Sequence, residues 1–264
     1  MAKLSISKAW DETREVLGRD GKLLTTVALA LLVLPGVVQS LAAPVMTPGE
    51  LPKPGPWMII ALIAILIGLV GQLAVIRLAT GPETTVGEAI AHGARRFLIY
   101  LAAMILLMLP FIVLMFGLGV SVRASSPSPG LSLAILFVTG LFLYVIVRFI
   151  IASAVTSAEA VGPIGVLQRS WVLTRGNWWR LFGFVVLFIV AVLLLMAATG
   201  AVVGIVVGIL FGAPEPMSVG ALIIALVTQL AVTAITVVFL VMVARIYLQL
   251  VRHNAEATVP STGD

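Results

Sequence analysis

Six apolar runs, near residues 23–43, 57–80, 97–120, 131–157, 179–211 and 219–250, constrain this chain more than any other feature. Each holds about twenty residues or more, the length a helix needs to cross a hydrocarbon core of roughly 30 Å. No water is present there to satisfy backbone N–H and C=O groups, so only helices and closed barrels cross it. The runs are continuous in Leu, Val, Ile and Ala rather than alternating apolar with polar, which selects helices. The expected fold is therefore an all-α membrane protein with six transmembrane helices in one domain, residues 1–252. Composition agrees: 61% of residues are hydrophobic, 10% are charged and mean hydropathy is +1.20. The chain has no cysteine, which excludes disulfides, thiolate metal sites and Cys nucleophiles together. Ser40-Leu41-Ala42, at the end of the first run, looks like a signal-peptidase site. The lead before that run carries Asp11, Glu12, Glu15 and Asp20, unlike a signal n-region, so the run is read as a span.

Charge sets the orientation. Fourteen of the sixteen Lys and Arg fall at the N-terminus, between spans two and three, between spans four and five, or at the C-terminal end. The opposite side keeps Lys53 and Arg123. Basic residues concentrate on the cytoplasmic side of spanning proteins, so both termini are expected in the cytoplasm. The same asymmetry accounts for the net charge of +5 without a nucleic-acid partner.

A threefold pattern underlies the six runs. Units near residues 5–80, 84–157 and 162–250 each read as a short surface helix, a glycine-and-basic turn, a span, an outer loop and a second span. Ser7 is the candidate cap of the first surface helix, with Gly18 and Gly21 ending it. Thr85 and Glu88 form a capping box for the second, which reaches about Gly93-Ala94. Pro163 opens the third at a first-turn position. Two spans per unit make the repeats parallel rather than inverted. Pro110 interrupts the third span and is expected to kink it or shift its hydrogen bonding. Residues 253–264 are read as a disordered cytoplasmic tail.

Each second span carries an arginine towards its cytoplasmic end: Arg77, Arg148 and Arg245. One reading is snorkelling to the interface. The other is a basic inner face, joined by Arg169, Arg175 and Arg180, that contacts lipid phosphate or an anionic solute. Tyr144 and Gln249 lie one turn from Arg148 and Arg245 and are placed to hold those guanidiniums. Trp10, Trp171, Trp178 and Trp179 read as interfacial anchors, with a ligand cage as the lesser alternative for the last three. Gly200, Gly204, Gly208 and Gly212, four apart in span five, line one helix face and are expected to pack against a neighbouring helix of the chain, a dimer seam being the second option.

The run Gln168-Arg169-Ser170-Trp171-Val172-Leu173-Thr174-Arg175-Gly176-Asn177-Trp178-Trp179-Arg180-Leu181-Phe182-Gly183, approached by Glu159 and Gly162-Pro163, resembles the signature of the glycerophosphoryl diester phosphodiesterase membrane-domain family. The resemblance implies a multi-span bacterial inner-membrane protein. In namesake proteins this domain accompanies a separate phosphodiesterase barrel, which has no counterpart here, so no catalytic residue is carried over.

No H-E-x-x-H, G-x-S-x-G, phosphate-loop or dinucleotide fingerprint occurs. His92 and His253 lie in different cytoplasmic segments and read as solvated. The spans lack carboxylates, so no proton relay is visible. No cofactor, metal or catalytic residue is expected. The partners expected are membrane lipids and a membrane protein that this chain scaffolds. The expectation is a non-enzymatic protein that handles or senses lipid headgroups, or serves as that scaffold. Transport of a small or anionic solute is the alternative, which a continuous polar cavity would favour.

Overall fold

A computed structural model describes residues 4–44, 54–81, 84–124, 128–212 and 218–258. Among them the regular structure is helical, with no strand. We label the helices α1 (Ile6–Ala42), α2 (Trp57–Thr80), α3 (Val86–Ala124), α4 (Pro129–Arg148), α5 (Ala152–Ala158), α6 (Pro163–Thr174), α7 (Trp178–Phe211) and α8 (Val219–Thr258). Six helices, with α4 and α5 counted as one, are long and apolar enough to cross a membrane.

The first surface helix and first span are not separate. Ser5, not Ser7, caps α1 by accepting from the Lys8 N–H (3.3 Å), and the helix runs through Gly18 and Gly21 to Ala42. Neither glycine takes the positive φ with which glycine ends a helix. Each costs roughly 1 kcal/mol inside a helix. The stripe Ala9, Val16, Leu24 and Val27, spaced for one face and fully buried, offsets that cost. A π segment, Leu29–Val33, gives the wider turn that accommodates Pro35, which has no N–H to donate.

The second elbow is likewise continuous. The capping box forms as expected, with the Thr85 N–H donating to Glu88 Oε2 (2.9 Å) and the Glu88 N–H to Thr85 Oγ1 (3.3 Å). Gly93 does not end the helix; α3 continues to Ala124 with Pro110 inside it. What Gly93 provides is proximity: a Cβ there would stand 2.5 Å from the Val70 carbonyl oxygen, so α3 crosses α2 backbone against backbone.

Span four breaks where no proline or glycine announces it. Arg148 ends α4, a turn follows, and α5 resumes at Ala152. The C-terminal segment also differs from expectation, because α8 carries the helix through Thr258; the rest of the expected tail, 259–264, lies outside the described residues.

The packed core lies at one end of the bundle, the basic end that carries the starts of α1 and α3 and the end of α8. Leu73–Ile76 of α2 are inaccessible, as are Ile151, Val155, Val241 and Ile246. Helix α2 is central, touching α1, α3, α5 and α8. The far halves of α3, α4 and α7 expose Ile112, Phe116, Leu136, Leu194 and Ile209. Such surface is stable against lipid tails, which are as apolar as leucine.

Candidate functional site

The break after Arg148 is where α6 docks. Leaving the helix frees the Arg148 carbonyl, and the Thr174 hydroxyl at the end of α6 lies 3.1 Å from it and 2.8 Å from the Ser170 carbonyl in its own helix. The Arg148 guanidinium turns back along α4. Its Nε and Nη2 donate to the Tyr144 hydroxyl (3.1 and 3.0 Å), and its carbon lies 4.7 Å from the Trp171 ring centre and 5.4 Å from that of Tyr144. Trp178 completes the surround, its ring 5.4 Å from Tyr144 and its indole N–H donating to the Tyr144 carbonyl (3.3 Å). Arg148 Nη1 is enclosed and has no hydrogen-bond partner. Among the described residues no carboxylate forms an ion pair with this cation.

The other arginines have different surroundings. Arg169 pairs with Glu159 (2.9 Å), which also accepts from the Tyr247 hydroxyl (3.0 Å), tying α6 to α8 through the segment before α6. Arg180 donates to the Leu4 carbonyl, while Asn177 Oδ1 accepts from the Leu4 N–H (3.2 Å). Arg175 is exposed in the turn. Arg77 folds back over the end of α2 towards Gly81, close enough to Glu88 and His92 to act on their charge. Arg245 is half-buried beside Glu12 and Glu15 of α1, with its Nε enclosed and unpartnered.

The three second-span arginines therefore do not converge. Their described neighbours are not shared: Trp171 and Tyr144 for Arg148, Gly81 for Arg77, and charges of α1 for Arg245. Tyr144 holds Arg148 as its spacing suggested. Gln249 does not hold Arg245; its amide lies against the Ser5 and Ala9 backbone and fastens the start of α1 to α8. His92 is not solvated either: half-buried, its Nε2–H donates to the Ser157 carbonyl (2.9 Å). His253 is likewise half-buried.

Trp179 is 78% exposed, Trp10 46% and Trp171 41%, as interfacial anchoring requires, while Trp178 is half-buried. Trp171 also covers the Arg148 guanidinium with its ring and Trp178 packs on Tyr144, so the cage they contribute to holds a protein cation. Among the described residues the span-five glycines do not pack closely on a neighbouring helix: a Cβ at Gly200, Gly204 or Gly208 would meet nothing within 4 Å, and Gly212, with φ +74°, ends the helix. The close crossings sit instead at Gly93 and at Gly71, where a Cβ would lie 2.9 Å from Leu31 Cβ.

Sequence reading missed the Glu159–Arg169–Tyr247 network and the clamp on Leu4. The available signal was an acidic residue just ahead of a basic surface helix and an asparagine at a helix start, both types that act through hydrogen bonds. Among the described residues no three His, Asp or Glu side chains gather as a metal site would require. Residues 4–250 match the family described as "Domain of unknown function (DUF7847)". No curated protein and no solved structure matches the chain.

Proposed function

The chain belongs to the DUF7847 family, and we propose that this member is a non-enzymatic integral protein of the bacterial inner membrane that handles or senses anionic lipid headgroups. Both termini face the cytoplasm in this reading, because the basic end is the positive-inside end. The carrying observation is Arg148, a half-buried cation held by two aromatic residues, Trp171 through its ring and Tyr144 through ring and hydroxyl, and left without a described carboxylate. Contacts with aromatic faces are worth roughly 0.5–2 kcal/mol, while withdrawing a charge from water costs several. An anionic leaflet supplies the remaining counter-charge, about 1 kcal/mol per basic residue near its surface. An acidic side chain already pairs with Arg169, and others act on Arg77 and Arg245 from a distance, which leaves Arg148 and the exposed Arg175 and Arg180 for headgroups.

The repeat organisation belongs to the same proposal. Arg77 of the first unit faces the second surface helix at Glu88 and His92. Arg148 of the second faces the third at Trp171. Arg245 of the third faces the first at Glu12 and Glu15. Only the Arg148–Trp171 contact is direct; Arg77 and Arg245 act on the charges of the following surface helix from a distance. That regularity supports three parallel units, as does the resemblance to the glycerophosphoryl diester phosphodiesterase membrane domain.

Native mass spectrometry of gently extracted protein tests the lipid reading. Arg148→Gln is expected to lower the share of phosphatidylglycerol over phosphatidylethanolamine that co-purifies, and the Arg77, Arg148, Arg245 triple glutamine variant to lower it further. Unchanged lipid content in both variants refutes headgroup handling. An accompanying soluble or membrane protein would favour the scaffold role.

A further inference from the structure

One flank of the bundle carries a groove of about 620 Å³, within the roughly 300–1,000 Å³ range of small-molecule sites. Its walls are α7 (Phe184, Ala191, Leu195) and α8 (Ile235, Val238), and it opens sideways onto the face that lipid would cover. At the basic end it stops against α1, where Ile6, Ser7 and Trp10 form its lip. A second groove of about 610 Å³ lies between α3 and α4 (Met108, Phe111, Phe142), away from the basic end. The two are alike in size and apolar character, and neither lining holds a charged residue; they differ in that only the first ends against α1 at the basic end.

We infer that the α7–α8 groove binds one acyl chain of an anionic phospholipid of the leaflet at the basic end, with the headgroup at the Ser7–Trp10 lip. Depth selects the occupant. The α7 wall from Phe184 to Leu195 spans about 16 Å at 1.5 Å per residue, roughly half of a 30 Å hydrocarbon core. A lipid tail occupies one leaflet, whereas a partner's spanning helix needs a groove of twice that length. Charge selects the headgroup. Arg14 is exposed on α1, one turn beyond Trp10 on the same face, whereas Lys8 lies on the opposite face. Arg180, which reaches the Leu4 carbonyl, adds a second cation at the start of α1. Asp11 stands against them, while Glu12 lies towards Arg245. Trp10, partly exposed at the lip, sits at headgroup depth as an indole prefers.

The inference rests on the lipid reading but concerns a different site from Arg148. The full chain is reconstituted in nanodiscs of phosphatidylethanolamine containing phosphatidylglycerol with a photoreactive diazirine on one acyl chain. Adducts are mapped after irradiation and proteolysis. Labelling is expected to concentrate on 184–195 and 234–242 relative to the α3–α4 groove. Ala191→Trp and Ile235→Trp, filling the groove from opposite walls, are each expected to lower that labelling about tenfold, as for excluding roughly two methylenes. Labelling of Met108 and Phe111 should stay as it was, which also reports that the variants are folded. Labelling spread evenly over the exposed faces, or retained in both tryptophan variants, overturns the inference. So does a dimer that either variant converts to monomer, since the occupant would then be a second copy. Arg148→Gln leaves the groove intact, so an unchanged headgroup preference in that variant with groove labelling kept shows that the Arg148 reading has failed, whereas a lost preference with groove labelling retained in both tryptophan variants shows that the groove has.

Discussion

Replacing Gly93 with alanine tests the central crossing of the bundle. The added Cβ would lie 2.5 Å from the Val70 carbonyl oxygen and 3.3 Å from the Ala74 nitrogen, both backbone atoms. Ordinary contacts are near 3.5–4.0 Å, so α3 must retreat from α2 by about 1 Å. Neither atom belongs to a flexible side chain that can swing away. Overpacking of this kind costs roughly 1–3 kcal/mol, and alanine's better helix propensity returns no more than about 1 kcal/mol. The retreat would also stretch the adjoining bond from His92 to the Ser157 carbonyl, now 2.9 Å. Gly204→Ala is the matched control, because a Cβ there meets open space and only the propensity gain remains. Thermal unfolding in detergent, followed by the five tryptophans, gives both numbers. Gly93→Ala should lower the midpoint and Gly204→Ala should hold or raise it. Equal stability of Gly93→Ala and the parent refutes the close crossing, and a destabilised Gly204→Ala means that the span-five glycine face has a partner outside the described chain.

Four further outcomes follow from the geometry. Thr85→Ala removes one side of the capping box and should cost about 1 kcal/mol; amides of residues 86–89 should then exchange faster, and unchanged exchange counts against the box. Asn177→Ala frees the Leu4 N–H and should expose the first residues of the chain to limited proteolysis, whereas undiminished protection means that Arg180 and Gln249 suffice. Glu159→Gln and Tyr247→Phe should each destabilise and, in a double-mutant cycle, show a coupling of about 1 kcal/mol; additive effects argue that the 3.0 Å contact contributes nothing. Because the chain has no cysteine, single cysteines at residues 50, 126 and 215 should react with an impermeant maleimide in intact cells, and one at 175 only after permeabilisation. The reverse pattern inverts the topology.

The spans were legible because hydrocarbon imposes one requirement on every residue of a run, and runs of that length have few alternative explanations. The capping box was legible for a related reason, since Thr85 and Glu88 satisfy each other within one turn. What could not be read was anything decided between units. Gly18, Gly21 and Gly93 look like stops in isolation, yet burial of Ala9, Val16 and Leu24 or a carbonyl across the crossing determines their conformation. The span-five glycines make the converse point: the spacing that defines a packing face does not say whether the chain itself supplies the neighbour. The break after Arg148 has no local signal, because what stabilises it is Thr174, on another helix.

The third elbow is dense in polar and aromatic side chains for a reason that the other two make plain. In α1 and α3 the surface segment and the span are one continuous helix, so backbone hydrogen bonds alone fix the angle between them. Between α6 and α7 the helix stops, with Gly176 at φ 84°, and between α4 and α5 it stops again. Backbone groups freed at two such breaks in an apolar setting must find partners, since each left unpaired inside costs about 1–3 kcal/mol. Thr174 serves the Arg148 carbonyl freed at the first break, while the Trp178 indole bonds the Tyr144 carbonyl within α4 and Asn177 and Arg180 hold both backbone groups of Leu4 ahead of α1. The polar residues of this stretch thus fasten the broken elbow to α4 and to the start of α1, where helix continuity fixes the other two. Most are accounted for by that task before any ligand is considered. Arg148 is the exception: the same breaks require its carbonyl to be bonded, but not a cation above it. A positive charge kept at that joint, among aromatic rings and without a described carboxylate, is the one element of the elbow that fold alone does not demand.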